Sequence, residues 1–251
     1  MFLFCISSAH AEKLIYPDLL LDDIQHVLTA PSRWQTQEWK NFAWASVAVA
    51  GTAILIDFPL RDAMRRQPSN NGFMLDIERF GAKYSIGVVG SFYLAGKFTD
   101  NDTAIMVAQD SLTASIIASG LITPAIKIAT GRSRPYENVG NNNFQGLGAS
   151  KLNSSFPSGH TTEAFALASV ISAHYEKMWI KNSAYTVATL VGVARIYNDA
   201  HFASDVVAGA LIGNWVGLSV VEHNQALRKT NVVIFPEITQ ELTGLRLAGI
   251  F

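Results

Sequence analysis

From Phe42 onward the chain alternates between apolar stretches long enough for helices and short polar breaks, and no other feature constrains the fold as much. Three runs carry no charge at all: Asn41–Ile56, Ser111–Ile126 and Val206–Val221, each of 16 residues. A membrane-crossing helix needs about 20 mostly apolar residues, with a lower limit near 17. The runs therefore stand between short spans with polar ends and core helices of an all-α protein. Composition leans the same way, with 49% hydrophobic and 16% charged residues where soluble domains carry about 25% charged. Helices are expected over Trp39–Ile56, Ile77–Gly96, Thr103–Thr130, Thr161–Trp179, Ser183–Tyr197 and Ala203–Asn224. A short amphipathic helix, Leu19–Thr29, precedes them and ends at Pro31. The fold class expected is an all-α bundle with a core of four to six apolar helices.

The two ends differ from this middle. Residues 1–11 resemble an export signal, intact or truncated: a short apolar run closes on Ala9-His10-Ala11, a small-x-small pattern suited to cleavage. Residues 12–38 form an N-terminal segment, 39–224 the helical domain and 225–251 a tail. In that tail "NVVIFPEI" and "LTGLRLAGIF" alternate well enough to predict a small β-hairpin. The loop "ENVGNNNFQGLGASKLNSS" is expected to be exposed. A single cysteine, Cys5, excludes an internal disulfide framework. The net charge of −1, without a basic patch, excludes the electrostatic footprint of a nucleic-acid binder.

Three polar clusters interrupt the apolar pattern. The first, "KIATGRSRP", brings Lys127, Arg132 and Arg134 together at a helix end. Such cations suit a helix C-terminus, and equally a phosphate, which Arg meets with a planar donor fork and Lys with a point charge. The second is Pro157-Ser158-Gly159-His160, at the start of a helical pattern. It reads either as a Ser-capped helix or as an anion site, with Gly159 opening the backbone N–H groups of a helix N-terminus. The third, "ARIYNDAHFASD", spaces His201 and Asp205 four apart, on one helix face. A carboxylate there holds the Nδ1–H of the imidazole and leaves Nε2 free as a nucleophile. That face continues as Gly209, Gly213 and Gly217, a stripe that lets a neighbouring helix approach closely. Asp110 is expected to pair with a cation or line a cavity wall. His26, His174 and His223 have no partners at ligand spacing. Trp34, Trp39 and Trp44 suit either an interface or the core.

Taken in order, Lys-x6-Arg-Pro, Pro-Ser-Gly-His and Arg-x5-His-x3-Asp resemble the type 2 phosphatidic acid phosphatase / vanadium haloperoxidase superfamily. The resemblance runs from Lys127 to Asp205, roughly a third of the chain, and departs at Ala194, where the family often has Ser. It implies a helical bundle with the site at one end. His201 would be the nucleophile that forms a phosphohistidine, oriented by Asp205, and His160 the general acid and base. Lys127, Arg134, Ser158, Gly159 and Arg195 would hold the phosphoryl oxygens, with Arg132 outside them. No metal or other cofactor is implied.

The expected function is hydrolysis of phosphomonoesters or diphosphates, with a phosphorylated lipid as the substrate class suggested by the apolar composition. The alternatives are a soluble periplasmic acid phosphatase, a vanadium-dependent haloperoxidase and a non-enzymatic anion-binding envelope protein. Basic residues in Glu176–Lys181 and at Arg228–Lys229, opposite the site, place the site on the outer, periplasmic face of a cell membrane. A cleaved leader and six full spans do not fit this orientation together.

Overall fold

The computed structural model describes residues 14–67, 72–147, 154–230, 233–238 and 243–248; the expected leader, residues 1–11, lies outside them. Ten helices carry the fold of the described residues. In chain order they are α1 (Tyr16–Thr29), α2 (Thr36–Leu55), α3 (Asp57–Arg65), α4 (Gly72–Glu78), α5 (Lys83–Thr99), α6 (Asp102–Ser115), α7 (Thr123–Thr130), α8 (Gly159–His174), α9 (Met178–Tyr197) and α10 (Ala203–Thr230). The all-α bundle is thus the fold observed. The tail hairpin is present, with β2 (Val233–Ile238) antiparallel to β3 (Thr243–Ala248). A short strand, β1 (Leu14–Ile15), pairs parallel with β2, a partner that the sequence pattern did not announce.

Several expected helices are divided, each at an identifiable residue. Helices α2 and α3 meet at 53°. Pro59, in the first turn of α3, has no N–H for the carbonyl four residues back, so the ladder cannot continue straight. Between α6 and α7 lies a π-helical stretch, Ile116–Ile122. Pro124 follows it directly at the start of α7, and the wide turn absorbs the missing donor. The expected Ile77–Gly96 helix is broken at Arg79–Gly81. There a Cβ on Gly81 would lie 2.3 Å from the His160 carbonyl oxygen, so only glycine lets this backbone touch α8. The expected Thr161–Trp179 helix stops at His174, and Met178 starts the next one.

Helix α8 sits at the centre. It is buried on nearly every side from Thr161 to Val170, with Thr162, Glu163 and Ser169 among the buried residues. Ala166 and Val170 pack with Val27, Ile117, Val216 and Val220 from α1, the π-helical stretch and α10. Its other face sets Ala164 and Ala168 against Ala188 and Val191 of α9. The glycine stripe of α10 is pressed against α8, as its spacing predicts. A Cβ on Gly209 would meet the Ser158 carbonyl at 2.6 Å, and one on Gly213 the Thr162 carbonyl at 2.2 Å.

The outer surface is different. No residue of α2 is buried, and Trp44, Ile54, Ile86 and Phe98 on α2 and α5 are 72–84% exposed. Exposed apolar side chains of this size, on two helices, are the kind that mark an interaction surface. Asp102–Thr130 and Ala203–Arg228, 29 and 26 residues long, are both long and apolar enough to cross a membrane, and the bent α2–α3 pair passes the same test. The 16-residue runs therefore understate these helices, because their polar ends remain helical.

Two expectations about exposed polar groups are corrected here. Arg228 is not a free basic marker of orientation: it is buried, and its Nη1 and Nη2 donate to Asp110 at 3.0 and 2.5 Å. His174 joins the same carboxylate at 2.7 Å, which supplies the partner expected for Asp110. Nor is the Asn-rich loop simply exposed. Asn141 is buried and its Nδ2 donates to the Ala53 carbonyl, while its own carbonyl accepts from Arg132 Nε at 2.9 Å.

Candidate active site

All three motifs converge at the end of the bundle where α7 and α9 finish and α8 and α10 begin. Gly131 stops α7 with φ +56°, a left-handed turn in which glycine carries no Cβ penalty. This leaves Lys127 in the last turn of α7 and throws Arg132 and Arg134 into the following loop. Lys127 is buried; its Nζ donates to the Ser154 carbonyl and reaches the Ser155 carbonyl at 3.5 Å. Those two serines lead into Pro157-Ser158-Gly159-His160, so the first motif grips the second through its backbone.

Ser158 occupies the N-cap position of α8, but its side chain makes no cap bond. Instead its Oγ accepts from Thr161 Oγ1 at 2.8 Å, and its N–H donates to the Asp205 carbonyl. The cap expected from sequence is therefore absent, and the first N–H groups of α8 retain their capacity to meet an anion. Around Gly159 the closest atom to an added Cβ would be Thr123 Cγ2 at 3.7 Å. Packing does not require glycine there, whereas an approaching ligand would.

His201 precedes α10 and is buried. Its Nδ1 lies 3.6 Å from Asp205 Oδ2, too far for a hydrogen bond, and 3.4 Å from Ser155 Oγ. Ser155 in turn donates to Asp205 Oδ2 at 2.5 Å. The direct His201–Asp205 bond expected from the spacing is thus replaced by a chain through Ser155. With Nδ1–H directed at Ser155, Nε2 keeps its lone pair. Asp205 also accepts from the Phe202 N–H at 2.8 Å, a backbone bond that pins the start of α10.

Behind Asp205 lies an ion-pair chain that the sequence did not reveal. Arg132 Nη1 meets Asp205 Oδ1 at 2.5 Å, and its Nη2 meets Asp57 Oδ2 at 2.8 Å. Asp57 further accepts from the N–H and Oγ of Ser204. The Arg132 guanidinium lies 4.5 Å from the Phe202 ring centroid and 5.2 Å from that of Phe144, which suits cation–π contact. Arg132 is thus the outer residue that its motif suggested, and Asp57, on a distant helix, is its second anchor. Asp57→Ala leaves Arg132 paired with Asp205 but takes the acceptor from its Nη2 and from the buried Ser204 N–H, and each buried donor left unsatisfied costs about 1–3 kcal/mol. The expected outcome is a matching loss of unfolding free energy in denaturant titrations, while Asp76→Ala, which removes an exposed pair with Arg79, changes little.

Arg195, in the last turn of α9, faces the same space. Its Nη1 pairs with Glu78, and its Nε is buried without a hydrogen-bond partner. A buried donor of that kind is completed by a ligand or water. Arg134 stands beside Tyr136, 6.0 Å from its ring centroid. The charges of Arg195, Arg134 and Lys127 all act on His160, and those of Arg195 and Lys127 act on His201. Every residue named from the motifs therefore lies in one neighbourhood. Glu78 and Asp57 join it from segments that carry no motif, and Ser155 from two residues ahead of the second motif.

Burial lowers both imidazoles: His160 to about 4, with Arg195 adding to the effect, and His201 to about 3, with Asp205 opposing. Both are neutral at pH 7 in the ligand-free site, as a nucleophilic Nε2 requires. Their depressed values also set a stability gradient. Below about pH 6.5 the unfolded chain takes up protons that the folded one refuses until about pH 4. Stability therefore falls as pH drops through that window. Melting temperatures measured between pH 7 and 4.5 are expected to decline, and His160→Asn to flatten the decline; an equal slope in the variant overturns the assignment.

Residues 111–228 match the PAP2 superfamily. A lipid A 1-phosphatase of Porphyromonas gingivalis is 36% identical over 114 residues, 45% of this chain and 22% of that protein. Lipid phosphate phosphatase 1 of Arabidopsis thaliana is 32% identical over 130 residues, 41% of this chain and 40% of the relative. The match thus spans less than half the length of either. The crystal structure of Aquifex aeolicus LpxE superimposes with a TM-score of 0.49 at 26% identity, covering 66% of this chain and 95% of that one.

Proposed function

We propose that this chain, whose residues 111–228 match the PAP2 superfamily, is a phosphatase that hydrolyses phosphate esters of lipids without a metal. The observation that carries this proposal is the convergence of His201, His160 and three cations at the open N-terminus of α8. Phosphoryl transfer requires mostly positioning and charge stabilisation, and Lys127, Arg134, Arg195, Ser158 and the Gly159 N–H are disposed to supply both.

In the proposed reaction Nε2 of His201 attacks phosphorus, an N–P bond forms and the P–O ester bond breaks. The leaving alkoxide takes a proton from His160, whose basicity rises once the phosphoryl charge offsets the surrounding cations. Water then attacks the phosphohistidine, His160 accepts its proton, the N–P bond breaks and inorganic phosphate leaves. Asp205 and Ser155 hold His201 in the required tautomer. Arg132 and Asp57 hold Asp205.

The lipid assignment rests on the exposed apolar faces of α2 and α5 and on the two helices long enough to cross a bilayer. In the same proposal the site faces the periplasm: Lys177 and Lys181 lie between α8 and α9 or just inside α9, at the end opposite the site, where a cytoplasmic surface favours cations. The test is phosphate release by membrane and soluble fractions, with short-chain phosphatidate in detergent beside glycerol phosphate. Release from phosphatidate by the membrane fraction is expected. Activity confined to glycerol phosphate in a soluble fraction overturns the lipid assignment.

A further inference from the structure

Helix α3 carries two buried charged residues, Asp57 and Arg61, four apart and so on one helix face. Asp57 ties to Arg132. Arg61 reaches two loops that lie beside the reaction centre. Its Nε and Nη2 donate to the two carboxylate oxygens of Asp199 at 2.6 and 2.9 Å, the bidentate fork that makes an Arg–carboxylate pair strong and directional. The same Nη2 donates to Asn138 Oδ1 at 2.8 Å and to the Pro135 carbonyl.

Each of those loops sets part of the site. Pro135 directly follows Arg134, so the first loop fixes where that guanidinium leaves the backbone. Asp199 lies in the turn between α9 and α10, where the N–H groups of Ala200 and His201 both donate to the Arg195 carbonyl, at 3.1 and 3.2 Å. The second loop therefore fixes His201 relative to Arg195. In both loops Arg61 meets a residue with a left-handed backbone: Asn138 has φ +57° and Asp199 φ +52°. They are two of the three non-glycine residues with positive φ among the described residues. Asn and Asp visit this region more readily than other side chains, and such a backbone persists where its surroundings hold it. Asn198, next to Asp199, is held from α4 by Glu78 at 2.7 Å. Arg61 supplies the hold from α3.

We propose that Arg61 is a positioning residue for phosphoryl transfer: by tying Pro135 and Asn138 to Asp199 it fixes the separation between Arg134 and the pair His201 and Arg195. The phosphoryl group must lie in line with Nε2 of His201 while its oxygens meet both guanidiniums. A misplacement of about 1 Å in such an arrangement costs up to about 100-fold in rate. Arg61 acts only through the backbone of the two loops. The proposal rests on the phosphatase reading above and adds a residue that lies outside all three motifs.

The test uses the full chain in detergent, in excess over short-chain phosphatidate, so that the saturating single-turnover rate constant is read apart from the fraction of folded protein. Arg61→Ala is expected to lower that constant about 10- to 100-fold. A loss of folded protein alone leaves it unchanged and raises only the protein concentration needed to saturate. Asp199→Gly removes the carboxylate but suits the left-handed turn, and it leaves Arg61 its bonds to Pro135 and Asn138. It should fold as well as wild type and lose a similar factor, so it decides the matter should Arg61→Ala fail to fold. The double variant should be no slower than the slower single one, because both remove the same tie. Arg61→Lys keeps the charge without the fork and should lie between wild type and Arg61→Ala. An unchanged rate constant in either single variant, or losses that multiply in the double variant, overturns the positioning role while the phosphatase reading stands. Wild type that releases no phosphate overturns both.

Discussion

Replacing His201 with alanine is expected to lower phosphate release by at least about 10^4-fold, the scale seen when a covalent nucleophile is removed from an otherwise intact site. The size follows from what remains. Lys127, Arg134, Arg195 and the α8 N-terminus still bind phosphate, so the KM should move much less than kcat. A phosphoenzyme formed on a ring nitrogen is labile in acid and stable in alkali. Rapid quenching of wild type with radiolabelled substrate should trap it, and the variant should show none. His160→Asn should act differently. Its loss removes the proton for a poor alkoxide leaving group, so octyl phosphate turnover should fall far more than that of p-nitrophenyl phosphate, whose leaving group needs no acid. Undiminished release by His201→Ala ends the covalent mechanism.

The second large effect is structural. Glycine to alanine inside a helix ordinarily stabilises by roughly 0.5–1 kcal/mol. At Gly213 the added methyl would lie 2.2 Å from the Thr162 carbonyl and 2.9 Å from the Ala166 nitrogen. Both are backbone atoms of α8 and have no rotamer to escape into, so the helices must part. Overpacking typically costs about 1–3 kcal/mol and occasionally more, and against fixed backbone atoms the upper end is expected, above the gain in propensity. Gly213→Ala should therefore lower the melting temperature in detergent and, because α8 carries His160 and α10 follows His201, depress activity beyond the loss of folded protein. Gly51→Ala and Gly87→Ala are the controls: nothing lies within 4 Å of either added methyl, and both should leave the melting temperature unchanged or higher. A Gly213→Ala protein as stable as these would show that the α8–α10 contact is looser than its atoms indicate.

What was legible in the sequence was local. The helical class followed from apolar runs divided by polar breaks, and the glycine stripe from its four-residue period. His201 and Asp205 were legible as a pair from their four-residue spacing, although His201 lies just ahead of α10 and meets Asp205 through Ser155. The Gly131 stop and the open start of α8 likewise belong to short stretches whose backbone preference is carried by one or two residues. The breaks at Pro59 and before Pro124 could have been anticipated from the prolines; the break at Gly81 could not, because its cause is a carbonyl on α8. Where local inference reached past its range, it failed in recognisable ways. Arg228 looked like a free basic tail and is neutralised by Asp110, 118 residues away. Ser158 looked like a cap and uses its hydroxyl otherwise.

The residues that complete the site were decided by tertiary structure alone. Asp57 reaches Arg132 across 75 residues, Ser155 reaches Asp205 across 50, and Glu78 reaches Arg195 across 117. No spacing rule links partners so far apart, since each pair exists only because close-packed helices bring distant backbones within a few ångströms. The sequence alone supplied the candidates for attack, protonation and phosphoryl binding in the proposed reaction, because those are properties of side chains in short motifs. Which carboxylate holds Arg132, which hydroxyl bridges His201 to Asp205, and which acid stands over Arg195 were decided by the way α8 and α10 close on each other and on the segments around them.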